Sequence, residues 1–87
     1  MQLTIIVPDA AVYKDGLCYF PLFWEGTPGN VRVLQFNTNT NLGWIEFNDG
    51  TFNESITAVP LWGQNAEAAW EIAYNEAHMP PITNLSI

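Results

Sequence analysis

Trp44-Ile45-Glu46-Phe47-Asn48-Asp49-Gly50-Thr51-Phe52 is the stretch that decides the fold, because it predicts a β-hairpin in the middle of a small antiparallel sheet. Successive side chains of a strand point to opposite faces, so we expect Ile45 and Phe47 on the core face and Trp44 on the other. An Asp-Gly pair supplies the positive φ angles of a two-residue type I′ turn. This turn predicts a return strand in which Phe52 lies opposite Phe47.

A second Asp-Gly pair, Asp15-Gly16, lies between two stretches that are typical of strands, residues 11–14 and 17–20. A two-residue turn fixes the register of the strands that it joins. We therefore expect Lys14 opposite Leu17 and Tyr13 opposite Cys18.

Residues 31–37 predict an inner strand, because apolar side chains fall on both of its faces. With residues 42–48 and 51–57 they are expected to complete a three-stranded meander. A further β-prone run at residues 3–7 ends at Pro8, which has no N–H to donate to a ladder.

From Pro60 the period of the apolar residues changes from two to that of a helix about four turns long. Thr57 or Asn65 is expected to cap its N-terminus, and Pro80-Pro81 to end it. Its apolar stripe consists of Trp62, Ala66, Ala69, Trp70, Ala73, Tyr74 and Ala77.

The predicted fold class is α+β: a small antiparallel β-meander with two Asp-Gly hairpins and about five to six strands, packed by one C-terminal α-helix. Residues 1–79 are predicted to form a single domain, and residues 80–87 a short extended C-terminal tail. The predicted core consists of Leu34, Phe36, Ile45, Phe47, Phe52, Trp62, Trp70 and Tyr74.

The charge of the chain excludes several classes of partner. Nine acidic and two basic residues among 87 give a net charge of −7, which would repel a nucleic-acid backbone and an anionic lipid surface. No apolar run is long enough for a membrane span, and no basic region precedes the first strand as in a signal peptide. We expect folding in a cytoplasm and neither nucleic acid nor membrane as a partner.

The sequence offers no convincing catalytic or metal-binding residues, and we expect no cofactor. Cys18 and His78 lack the motif of a nucleophile–base pair. Asp49, Asn53 and Glu54 lie near a turn but lack the spacing of an EF-hand calcium loop. Glu46 and Glu54 could form a carboxylate dyad, but a solvent-facing Glu46 is the simpler interpretation of the strand alternation. We therefore predict that the protein is not an enzyme.

The aromatic side chains are the better functional candidates. Trp24 borders a loop and Trp44 points away from the predicted core, so both are candidates for contact with a protein partner or, less simply, a glycan. Residues 82–87 carry no charge and could add a strand to a neighbouring sheet. The candidate contact residues are Trp24, Trp44, Ile82, Leu85 and Ile87.

Several segments of the chain resemble a family of small tailed-bacteriophage proteins known as tail or tail-fibre-assembly-like proteins. The similarity covers about residues 4 to 77 and is carried by five segments: residues 5–16, 31–37, 43–47, 53–62 and 69–71. Many members of the family continue past a proline-rich linker into a further helical segment, so this chain resembles their N-terminal module. The matching positions are mostly turn, core and cap residues, and the family offers no catalytic residues to carry over.

This resemblance implies a non-enzymatic virion structural protein in the tail, baseplate or fibre-attachment region. Its expected partners are other phage virion proteins, with self-association as a further option, and its expected location is the virion, with the host cytoplasm during assembly. Two alternatives stay open. One is a tail-fibre assembly chaperone that is absent from the mature virion, and the other is an acidic phage-encoded inhibitor of a host defence protein.

Overall fold

The computed structural model describes residues 1–79. Within this part of the chain one helix follows six strands. The strands are β1 (Gln2–Ile6), β2 (Ala11–Lys14), β3 (Leu17–Tyr19), β4 (Val31–Asn37), β5 (Leu42–Phe47) and β6 (Glu54–Ile56), and the helix is α1 (Leu61–Ala77).

All six strands form one antiparallel sheet in the order β3-β2-β1-β4-β5-β6. Each half of this sheet is a three-stranded meander, and the two halves meet where β1 pairs with β4. The prediction of an α+β fold with about five to six strands and a C-terminal helix is confirmed. The predicted extended tail at residues 80–87 lies outside the described residues.

The β2–β3 hairpin has the predicted register, with Lys14 opposite Leu17 and Tyr13 opposite Cys18. Asp15 and Gly16 both adopt positive φ angles, of 50° and 86°, as a type I′ turn requires. The turn residues therefore predicted the pairing of this hairpin correctly.

The β5–β6 hairpin differs from the prediction, and the placement of Phe52 in the core is wrong. Ile45 pairs with Glu54, which is the register that an Asp49-Gly50 turn would give, but the ladder opens before it reaches the turn. The predicted type I′ turn is not formed, because Gly50 has a positive φ angle and Asp49 has not. The Asn48 N–H donates to the carbonyl of Asn30 at 2.8 Å, so the end of β5 stays beside the chain that leads into β4. Residues 51–53 leave the sheet, and the Phe52 side chain is 93% exposed.

A bulge in β4 changes which side chains reach the core. Val31 pairs with Phe47 and Val33 with Glu46, so Arg32 is the extra residue, and a bulge reverses the alternation of the faces. Val31 consequently joins the core beside Leu34 although simple alternation would place the two on opposite faces.

The core lies between the sheet and α1. Phe47 and Tyr74 are half-buried and pack against it, while the other predicted core residues apart from Phe52 are buried. The buried cluster consists of Leu3, Ile5, Val12, Val31, Leu34, Phe36, Ile45, Trp62, Ala66 and Trp70.

Helix α1 contacts β1, β2 and β3. Neither predicted N-terminal cap is formed: the N-cap residue is Pro60, without a side-chain cap, and Asn65 lies inside the helix. The Trp70 indole N–H donates to the carbonyl of Leu17 at 2.9 Å, which fixes the helix over the edge of the first meander.

Candidate protein-interaction surface

The side of the sheet that faces away from α1, here called the open face, is covered by no other element of the described chain. Leu3 and Ile5 belong to the core, so Thr4 and Ile6 point to the open face. Side chains that lie directly across neighbouring strands share a face, and one row of the open face can be followed across the whole sheet. The row is Cys18, Tyr13, Thr4, Gln35, Trp44 and Ser55.

The middle of this row is held by hydrogen bonds between side chains. The Gln35 Oε1 accepts from Thr4 Oγ1 at 2.6 Å and from Gln2 Nε2 at 3.0 Å. The centre of the open face is therefore polar and ordered, with an aromatic side chain on either side of it, Tyr13 and Trp44.

Trp44 lies on the open face as predicted, and its side chain is 43% exposed. Its indole N–H donates to Glu46 Oε2 at 2.9 Å, and Arg32 Nη2 donates to Glu46 Oε1 at 2.5 Å. Glu46 thus joins the indole to the guanidinium and presents the ring of Trp44 in one orientation. A ring that is held in place in this way loses little conformational freedom when a partner covers it.

The second apolar surface is the aromatic loop, residues 20–24, which follows β3. Phe20 and Phe23 are 70% and 89% exposed, although such large apolar side chains are usually buried. A groove of about 230 Å³ separates this loop from α1. The groove is lined by Pro21, Leu22 and Phe23 of the loop and by Ala69, Ile72, Ala73 and Glu76 of the helix.

Trp24, the other predicted contact residue, is half-buried and packs against the core. Its indole N–H donates to Thr27 Oγ1 at 2.6 Å, and the Asn65 side chain donates to the carbonyl of Glu25 at 3.0 Å. The first bond orients the Trp24 ring within the loop region, and the second fastens the chain after the aromatic loop to α1. The ring that the loop turns to solvent at this point is therefore Phe23, rather than Trp24.

The charge of the surface is predominantly negative. The two basic side chains are already paired: Lys14 with Glu67 and Glu71, and Arg32 with Glu46. The remaining carboxylates form no ion pair within residues 1–79, and they are those of Asp9, Asp15, Glu25, Asp49, Glu54 and Glu76. A partner that meets this surface should be basic or apolar, since a second acidic surface would be repelled.

The side chains considered as catalytic or metal-binding candidates from the sequence do not lie close together. Cys18 lies on the open face, whereas His78 stacks on Tyr74 of α1 at 4.0 Å between ring centroids. Glu46 points to the open face, and Glu54, which pairs with Ile45, points to the other. Among residues 1–79, no three His, Cys, Asp or Glu side chains are grouped so that they could hold a metal ion.

A scan against protein-family models, a search of the curated proteins and a search of the solved structures each return no match for this chain. The resemblance to phage tail and tail-fibre-assembly-like proteins therefore stays a prediction. Between Met1 and Met79, no helix is long and apolar enough to cross a membrane.

Three exposed apolar residues of the surface were missed by the sequence analysis: Phe20, Phe23 and Ile72. Residues 20–24 are almost entirely apolar, and a run of this kind next to a loop rich in glycine and proline is a usable signal for an exposed anchor. The predicted contact residues Ile82, Leu85 and Ile87 lie outside the described residues.

Proposed function

We propose that this protein is a non-enzymatic structural component of a tailed-phage virion, in the tail, baseplate or fibre-attachment region, which acts through protein–protein contacts. The proposal takes the phage setting from the resemblance of residues 4 to 77. It takes the mode of action from the exposed apolar side chains.

The observation that carries the mode of action is the aromatic loop with its groove on α1. Two phenylalanine side chains of the loop are exposed to solvent, whereas the buried cluster within residues 1–79 contains three aromatic residues, Phe36, Trp62 and Trp70. Exposed apolar patches of this kind are typical of contact surfaces, and large rings in well-formed grooves carry much of the binding free energy of an interface.

The location of the protein can be tested by mass spectrometry of purified particles of the phage that encodes it. We expect the protein at a stoichiometric level relative to known tail proteins. Its absence from the particles would contradict a structural role. If deletion then gave particles without fibres, the assembly chaperone would replace our proposal. Recovery of a host defence protein in a pull-down from infected cells would favour the inhibitor.

The contact surface can be tested with the double variant Phe23→Ser, Ile72→Ser. Both side chains line the groove and are exposed, so the domain should still fold, while incorporation into particles should fall roughly tenfold or more because interface anchors of this size contribute over 1 kcal/mol each. The matched control is Phe52→Ser, which removes an equally exposed ring that does not line the groove. Equal incorporation of both variants would exclude the groove as the contact surface.

A further inference from the structure

A hollow of about 250 Å³ opens on the open face at the end that is farthest from Trp44. It is lined by Asp9, Ala11, Tyr13 and Phe20, and we call it the Asp9 pocket. We propose that the Asp9 pocket binds an arginine side chain of a protein partner. The inference rests on the proposed function, because it specifies the chemistry of the partner that the domain contacts.

The shape of the pocket follows from the register of the first meander. Val12 pairs with Tyr19, so Ala11 and Phe20 occupy the next facing positions, and Tyr13 lies two residues along the same face. The short side chain of Ala11 is buried and forms the floor. The larger side chains of Tyr13 and Phe20 line the pocket beside it, and so does Asp9, which is exposed and lies in the turn that leads into β2.

Two aromatic walls with one carboxylate match the chemistry of a guanidinium group. Arginine is planar, stacks on the faces of aromatic rings and is less strongly hydrated than the ammonium group of lysine. Its N–H groups also form paired hydrogen bonds with a carboxylate. A neutral apolar side chain would use the rings but would leave the carboxylate of Asp9 beside it without a partner.

The charges of the domain favour the binding of a cationic group that belongs to another molecule. Both basic side chains of the chain are engaged with Glu67, Glu71 and Glu46, so neither serves as the counter-ion of Asp9. The field of Asp9 also reaches into the pocket. The pKa of Tyr13 lies above its ordinary value of 10.0, first because of its hydrogen bond with Cys18 and, as the smallest contribution, because of the negative charge of Asp9.

The pocket can be tested by NMR titration of the ¹⁵N-labelled protein with N-acetyl-arginine methylamide. The neutral, nearly isosteric N-acetyl-citrulline methylamide serves as the control ligand. We expect saturable shifts of the amide resonances of residues 9–13 and 20 with the arginine compound, and no saturable shifts with the citrulline compound. Equal binding of the two compounds would overturn the proposal, since it would show that the positive charge is not recognised.

Protein variants separate the pocket from the general acidity of the surface. Asp9→Asn should weaken binding about fivefold, as expected for an exposed ion pair, and Phe20→Leu about threefold, because leucine keeps the apolar volume but has no π face. Glu54→Gln removes the same unit charge at the opposite edge of the sheet and should leave the affinity unchanged. Equal weakening by Asp9→Asn and Glu54→Gln would overturn the proposal.

A failure of the arginine site can be distinguished from a failure of the proposed structural role. If the arginine compound binds at the Asp9 pocket while the protein is absent from particles, the phage assignment fails and the site stands. If the protein is in the particles while the arginine compound does not bind, the structural role stands and the arginine site fails.

Discussion

Lys14 joins the first meander to the helix through charged contacts. Its side chain is only 14% exposed, its Nζ pairs with Glu67 at 3.0 Å and also with Glu71, and it lies 4.8 Å from the ring centroid of Trp70. The ammonium group thus makes two ion pairs and a cation–π contact across the boundary between β2 and α1. One residue of the β2–β3 hairpin holds two successive turns of the helix.

Lys14→Met should lower the free energy of unfolding by about 1–2 kcal/mol, between the values for exposed and buried ion pairs. Methionine keeps the apolar stem but removes the charge. Urea unfolding followed by tryptophan fluorescence measures the loss. Arg32→Met is the matched control, because Arg32 makes a single, more exposed pair with Glu46, and it should cost under about 1 kcal/mol. Equal losses would contradict the role of Lys14.

The Lys14 side chain also makes the stability of the protein depend on pH in the alkaline range. Burial lowers the pKa of Lys14, but hydrogen bonds to Glu71 and Glu67 outweigh it, and the pKa is raised above 10.5. A group with a raised pKa in the folded state stabilises fully below its unfolded pKa and loses this contribution as the pH rises through the folded pKa.

The difference in urea midpoint between the native protein and Lys14→Met should therefore be constant from pH 8 to about pH 10 and shrink above pH 10.5. Urea titrations at a series of pH values measure it. A difference that stays constant up to pH 11.5 would mean that the ion pairs of Lys14 contribute nothing to this pH dependence.

Among the elements, the two Asp-Gly hairpins mark how far the sequence determines local structure. The β2–β3 hairpin was predictable because Asp15 and Gly16 adopt the positive φ angles of the turn, and the bonds of Asp15 to Gln2 of β1 do not compete with the β2–β3 pairing. The β5–β6 hairpin was predictable in register but not in extent, because bonds to distant residues compete with the ladder. Asp49 accepts from Thr51 N at 3.1 Å and from Asn30 Nδ2 at 3.2 Å, and no local pattern contains Asn30.

Gly43 shows how closely strands β4 and β5 pack. It pairs with Phe36, and a Cβ at this position would lie 2.1 Å from the carbonyl oxygen of Gln35. Gly43→Ala should therefore cost about 3 kcal/mol or more, since overpacking forces the backbone to move. Gly29→Ala is the control, because its Cβ would meet nothing within 4 Å. Thermal unfolding of both variants measures the effect, and an unchanged melting temperature for Gly43→Ala would contradict the close packing.

The interaction surface was predictable only where the periodicity of one strand determines it. Trp44 follows from alternation in β5, and the structure places it on the open face. Phe23 and Ile72 come together because the aromatic loop runs beside α1, a long-range arrangement that neither segment encodes alone. Phe20 of the same loop lies instead beside Asp9 and Tyr13. The bulge that returns Val31 to the core is of the same kind, since it depends on the pairing of β4 with β5.

On the scale of the whole molecule, the sheet has a stable centre and weak edges. Strands β1 and β4 lie between neighbours on both sides, whereas β3 and β6 are edge strands of three residues each. Hydrogen exchange should be slowest for the amides of β1 and β4 and fastest for those of β3 and β6, because local opening costs least where few contacts are lost. Uniform protection across the sheet would contradict this gradient. Such short edges also limit edge-to-edge pairing with other sheets.

The junction of the two meanders also affects the folding kinetics of the chain. Within each meander the strands are neighbours in sequence, but Leu3 of β1 pairs with Phe36 of β4, 33 positions further along the chain. Pairings of such long range close large loops and are slow to form. The docking of β1 on β4 should therefore set the folding rate. Cleavage of the chain between β3 and β4 would give two fragments, each with one meander. The rate at which the two fragments reassociate would measure the docking step directly.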